Sequence, residues 1–157
     1  MSKYHTVNIL DLIDSVGEDK AREILSDFDC PLNKEIETFL YKNAIDFAKR
    51  KMSITYVVVN ENGQLIAYFT LTHKPVFVPY DLLSRGSIRK IERHARLDEE
   101  TKAYSVSAFL IAQFGKNQKY KTNGEYSGNE LMDQAIDILQ NVQRQVGGGV
   151  LFLECEE

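Results

Sequence analysis

Residues 113–130 read Gln113-Phe-Gly-Lys-Asn-Gln-Lys-Tyr-Lys-Thr-Asn-Gly-Glu-Tyr-Ser-Gly-Asn-Glu130, a run of residue types suited to holding an anion. Ser127 and Glu130 stand at the spacing of a capping box, in which the serine hydroxyl accepts from the Glu130 backbone N–H and Glu130 reaches back. A helix starting there leaves first-turn N–H groups without partners, and their aligned dipoles favour negative charge. Gly124 and Gly128 allow a ligand to approach the backbone closely. Lys116, Lys119 and Lys121 lie just upstream, where they could meet phosphates. Taken alone, the same residues also describe an ordinary capped helix after a solvated loop, because capping boxes are common.

A second chemical feature is basic. Arg85, Arg89, Lys90, Arg93, His94 and Arg96 fall within twelve residues, and Arg85, Arg89, Arg93 and Arg96 share one helical face. One reading is a patch for a polyanionic acceptor such as RNA. The plainer reading, which we favour at this point, is a solvated helix paired with Asp98, Glu99 and Glu100. His5, His73 and His94 are scattered. Cys30 and Cys155 have no metal or redox spacing and read as reduced, buried thiols, so no metal is expected.

The elements that position these residues follow from periodicity. A strand is expected around Val7–Leu12. Ser15 and Glu18 predict a capped helix with Ala21, Ile24, Leu25 and Phe28 on one face, which Pro31 breaks. Asn33 caps a second helix with the stripe Ile36, Leu40, Ala44, Phe47 and Ala48. Ile54–Val59, the Asn60–Gly63 turn and Gln64–Thr72 form a hairpin. Residues 75–102 are less regular and rich in charge. Ala103–Phe114 is a long strand with Tyr104, Val106, Ala108, Leu110 and Ala112 on one face, and a polar loop runs from Gly115 to Tyr126. A helix follows, with Leu131, Ala135, Ile138, Leu139, Val142 and Val146 in its stripe, and Gly147–Gly149 stops it. Val150–Cys155 is a last strand. The expected order is β-α-α-β-β-β-α-β, an α/β (α+β) arrangement with a mixed sheet and helices on both faces.

Composition bounds the rest. The 157 residues, 43% hydrophobic and 27% charged, suit one domain over 1–157 and exclude disordered and collagen-like classes. No apolar run approaches the ~20 residues that span a bilayer, and the N-terminus lacks a signal-peptide core, so a cytoplasmic protein with no membrane partner is expected. A net charge of -4 gives the chain as a whole no tendency towards nucleic acid.

The element order, together with the 103–155 block "LIAQFGK…SGNELMDQA…GGGVLFLECE", resembles the GNAT superfamily of N-acetyltransferases, and within it a bacterial subgroup that includes toxin-like members. The resemblance implies acetyl-CoA as co-substrate. Gln113, Phe114, Gly115 and Lys116 match the end of the strand that contacts pantetheine. Asn123, Gly124, Tyr126, Ser127, Gly128 and Asn129 occupy the place of the pyrophosphate loop Q/R-x-x-G-x-G/A, with Lys121 beside it. Asn123 stands for Gln or Arg and Tyr126 for the first glycine, and the loop is about two residues longer than usual. Backbone N–H groups at 114–116 would polarise the thioester carbonyl, and Glu154 is a candidate base, although a solvent-facing strand residue is its more ordinary reading. Family members continue with a helix, whose Tyr protonates the leaving thiolate, and two further strands. The resemblance therefore predicts a fold lacking them, and an edge along Val150–Cys155 that pairs two copies into a homodimer.

Three functions stay open from the sequence. The first is N-acetyl transfer from acetyl-CoA to an amine-bearing acceptor. The second is an inactive CoA-binding or self-associating module. The third is a toxin-like acetyltransferase acting on an RNA-linked amine.

Overall fold

The computed structural model describes residues 3–149 and 151–153. They form one sheet in the order β1-β2-β3-β5-β4, with β6 also paired to β5. The strands are β1 (His5–Asn8), β2 (Ile54–Val59), β3 (Leu65–Pro79), β4 (Leu97–Asp98), β5 (Ala103–Lys116) and β6 (Leu151–Leu153). Every described pairing is antiparallel except β5 with β6. The helices are α1 (Ile9–Val16), α2 (Glu18–Leu25), α3 (Lys34–Lys42), α4 (Ala44–Lys49), α5 (Arg85–Glu92) and α6 (Gly128–Val146).

Each sheet face has its own core. Ile9, Ala21, Leu25, Phe28, Leu40, Ala44, Ile45 and Ala48 come from α1–α4 and the adjoining loop, and they pack on Val57, Leu65 and Tyr68. Leu131, Ala135 and Leu139 of α6 pack on the opposite face, against Val58, Ile66, Phe69, Leu71 and Ile111. The whole of Leu65–Leu71 is therefore buried, as expected where both faces of a strand are covered. Full burial of each such aliphatic or aromatic side chain is worth roughly 1.5–3 kcal/mol.

Several local expectations are corrected. The first strand is His5–Asn8, because Asn8 Oδ1 accepts from Leu10 N and caps α1 at once. Ser15 lies inside α1, and α2 starts after Gly17 without a side-chain cap. Asn33 does cap α3, accepting from Glu35 N and Ile36 N, but the second helix breaks at Asn43 into α3 and α4. β3 runs on to Pro79, seven residues beyond the expected Thr72. It carries Pro75 and Pro79 because β2 reaches no further than Leu71, which leaves one side of the extension without a strand among the described residues, where a missing N–H costs no ladder bond. Within 75–102 the chain also forms α5 and β4. Gly115 and Lys116 belong to β5 rather than to the loop, paired with Tyr68 and Ala67. Val146, placed on the α6 stripe, is exposed. Among the described residues no helix is long and apolar enough to cross a membrane.

The exit of α6 is tightly made. Gly147 and Gly148 have positive φ, and the Gly149 N–H donates to Ser107 O at 2.7 Å. A Cβ on Gly149 would stand 2.6 Å from Val106 Cγ1 and 2.9 Å from Ser107 O. Three successive glycines thus do more than end the helix. They let the chain press onto β5.

Candidate functional site

β3 and β5 pair along their whole length except at one point: Thr70 opposes Gln113 while Leu71 opposes Ile111, so Ala112 is a bulge. The extra residue turns the strand's alternation over. Leu110 and Ile111 are both buried and Ala112 is exposed, whereas an unbroken period of two puts Ala112 with Tyr104, Val106, Ala108 and Leu110. The described part of β6 pairs only with Phe109–Ile111. Beyond the bulge, the far edge of β5 therefore has no strand beside it among the described residues.

The direction of the free backbone groups follows from the ladder. Asn117 N donates to Ile66 O at 2.8 Å, which makes Asn117 and Ile66 a hydrogen-bonded pair. Antiparallel alternation then turns the N–H and C=O of Lys116 and Phe114 away from β3, towards the open edge. Gly115 faces the other way. A Cβ there would lie 3.0 Å from Ile36 Cγ2 and 3.6 Å from Phe28 Cζ, so this glycine lets α3 and its preceding loop close over the strand. The expected ligand residue has a packing task.

The loop 117–127 is organised rather than slack. Asn123 (φ 53°) and Gly124 (φ 82°) are the central residues of a tight turn closed by Glu125 N donating to Thr122 O at 2.9 Å, the positive-φ geometry that Asn-Gly favours. Tyr126 is buried between Tyr4 and the α6 core, its hydroxyl donating to Gln134 Oε1. Burial raises its phenol pKa, and only its backbone faces the loop. Ser127 Oγ accepts from Glu130 N at 3.3 Å, the forward half of the expected capping box. Gly128 and Asn129, both exposed, form the first turn of α6, and a Cβ on Gly128 would meet nothing within 4 Å. Here the open side is space, not protein.

Charge at this end is largely consumed. The Lys119 ammonium is held by Asp27, whose carboxylate also accepts from the Tyr120 hydroxyl at 2.6 Å. The Lys119 bond, and then the Tyr120 bond, hold the Asp27 carboxyl below its ordinary range. That leaves Lys116 and Lys121 without carboxylate partners among the described residues. They line a cleft of about 320 Å³ with Asn117, Tyr120, Thr122, Asn123 and Gly124. Gln113, half-buried, sits beside the bulge. Of the sequence-predicted residues, Lys116, Lys121, Asn123 and Gly124 line this cleft together, Phe114 stands two residues before it on β5, and Ser127, Gly128 and Asn129 open α6. Glu154 and Cys155, like Val150, lie outside the described residues. Cys30 is buried and unbridged.

The opposite end of β5 carries α5. Arg85, Arg89 and Lys90 lie on α5, Arg93 caps it, and His94 and Arg96 fall beyond its end, so the expected helical face does not reach Arg96. All six are exposed, and of the acids expected to neutralise them Asp98 and Glu99 are engaged elsewhere. Asp98 accepts from Glu100 N and Thr101 N, Glu99 holds Lys102, and Glu92 accepts from the Tyr104 hydroxyl at 2.7 Å. Among the described residues none of these cations is paired with Asp98, Glu99 or Glu100. Tyr80, half-exposed, lies close enough to the Tyr104 phenol to raise its pKa.

No protein-family model and no curated protein matches the sequence. Solved structures do. The chain resembles AtaT complexed with acetyl-methionyl-tRNAfMet at a TM-score of 0.69 and 15% identity, over 98% of this chain and 79% of that one. It resembles a point mutant of KacT at 0.69 and 16%, over 99% and 80%. AtaTR bound with acetyl-CoA gives 0.62 and 16%, over 100% and 78%. At such identities the likeness concerns the fold, and it is the GNAT-like mixed α+β fold expected from the element order.

Proposed function

We propose that the chain binds acetyl-CoA at the C-terminal end of β5 and transfers its acetyl group to a primary amine. The observation that carries this reading is the edge past Ala112, which has no strand beside it among the described residues and where Phe114 and Lys116 present their N–H and C=O groups just upstream of a helix N-terminus. A pantetheine arm has amides that pair with such an edge as a strand would. Its pyrophosphate then falls towards the first-turn N–H groups of α6, next to Lys116 and Lys121. In the transfer, the amine nitrogen attacks the thioester carbonyl carbon, the C–N bond forms, and the C–S bond breaks with its electron pair leaving on sulfur. The proton lost by the amine balances the one gained by the thiolate. A backbone N–H of the open edge aimed at the carbonyl oxygen stabilises the charge that develops there.

The acceptor reading we favour is an amine carried on RNA, because α5 and the residues just after it present exposed cations that have no carboxylate partner among the described residues. Ala103 and Ala112 are nine residues apart on β5, about 30 Å at the rise of a strand. An acceptor anchored on α5 must span that distance to reach the bulge, which an aminoacylated RNA can do and a free amino acid cannot. The AtaT complex with acetyl-methionyl-tRNAfMet supports the same reading.

Calorimetry with acetyl-CoA, followed by thiol release on adding aminoacylated RNA or small amines, tests the proposal. Binding with turnover is expected. Binding without turnover would leave a CoA-binding module, and no binding would overturn the reading.

A further inference from the structure

Asn117 is the first residue beyond β5 and is 2% exposed. Its side-chain amide uses both donors and both acceptor positions. Nδ2 donates to Leu65 O at 2.8 Å and Asp27 O at 2.9 Å. Oδ1 accepts from Asp29 N at 2.9 Å and Lys119 N at 3.1 Å. Around it, Gln118 N donates to Asp29 O at 2.8 Å, and the Asp27 carboxylate gathers Lys119 and Tyr120. Three segments far apart in sequence, 27–29, 65–66 and 117–120, meet on one buried side chain.

We propose that Asn117 is the positioning residue of the phosphate loop, an inference that rests on the acetyl-CoA reading. The loop between β5 and α6 has no regular structure, and ordering such a segment on ligand arrival costs conformational entropy residue by residue. Asn117 pins its upstream end and the Ser127 cap its downstream end, so the loop is already in place when the phosphates arrive. Preorganisation of this kind strengthens binding by lowering its entropic cost. Asn117 has no role at the acetyl group. Its loss therefore weakens cofactor binding and raises KM for acetyl-CoA, leaving kcat close to wild type.

The experiment compares wild type, Asn117→Ala and a core variant, Val57→Ala, by calorimetry with acetyl-CoA, by steady-state kinetics and by amide exchange without ligand. In Asn117→Ala we expect exchange at Asp29, Gln118 and Lys119 to rise together and acetyl-CoA to bind about tenfold more weakly, the scale of 1.4 kcal/mol, with kcat retained. Val57→Ala, destabilised at a distance, keeps wild-type affinity while folded. Asp27→Ala removes only the exposed half of the clamp, so it keeps the question answerable if Asn117→Ala does not fold. It should weaken binding by roughly threefold, a smaller loss of the same preorganisation. Wild-type affinity in a folded Asn117→Ala, or in Asp27→Ala, overturns the role of the clamp and leaves the acetyl-CoA reading intact. A wild-type chain that binds no acetyl-CoA overturns both.

Discussion

The two ends of β5 hold charge in opposite ways. At the C-terminal end the loop is fixed by a buried amide, Lys119 is committed to Asp27, and the proposed binding rests mainly on backbone N–H groups aimed at an edge that has no strand beside it among the described residues. At the N-terminal end α5 displays exposed arginines whose neighbouring acids are occupied by Lys102, by Tyr104 and by backbone N–H groups. A site built from backbone groups acts at hydrogen-bond range and has its geometry set beforehand. A side-chain patch acts over the Debye length, about 8 Å at physiological salt, and steers a partner without fixing its register. The first arrangement suits a small ligand of defined shape, the second a long polyanion.

The sharpest test of the comparison is steric. Gly149→Val drives a side chain into Val106 and Ser107 O. It should destabilise the chain by about 3 kcal/mol, the upper part of the overpacking range, and lower Tm by about 10 °C for a chain of this size, as thermal unfolding will show. Gly128→Val, with open space around it, should leave Tm within about 2 °C, since such surface changes stay near 0.5 kcal/mol. It should nevertheless weaken acetyl-CoA binding by about tenfold by occupying the place of the ligand. Equal affinities in that calorimetric pair would remove the phosphate site. Reversing charge with Arg89→Glu and Arg93→Glu should leave acetyl-CoA affinity unchanged and abolish RNA association at ~50 mM salt, where phosphate contacts are strong. A filter-binding titration that finds wild-type RNA affinity would reduce α5 to a solvated helix.

The smallest expected effect concerns pH. Hydrogen bonding to the Glu92 carboxylate, then burial, raises the Tyr104 phenol to about 12. A folded pKa raised above the unfolded value favours the protonated phenol. The contribution to stability is therefore whole below the ordinary tyrosine pKa of about 10 and fades as pH rises through about 12. Alkaline unfolding followed by circular dichroism should show this slope in wild type and lose it in Tyr104→Phe.

Much of the framework was legible in the chain. The α6 stripe, the Ser127 and Asn33 caps, the β2–β3 hairpin and the glycine stop after Val146 are set by contacts a few residues apart, and short-range periodicity reports such contacts directly. The helix carrying Arg85 and Arg89 was legible as well, though not that it ends at Glu92, short of Arg96, nor whether nearby acids would neutralise it. That depended on Asp98, Glu99 and Glu92 finding other partners.

The sequence by itself therefore determined the β2–β3 hairpin, the long strand β5, the capped helix α6 and which residues could meet an anion, but not that 9–12 is helical or that 75–102 holds α5 and β4. Tertiary structure alone decided the features that make a site of them. The β3 extension survives two prolines only because β2 stops at Leu71. The bulge at Ala112 exists only in the register with β3, and it turns over the face of every residue after it. Gly115 is explained by Ile36, and Asn117 by carbonyl and N–H groups 52, 88 and 90 residues away. These are contacts between segments distant along the chain, and no local pattern of residue types records which distant backbone will arrive opposite.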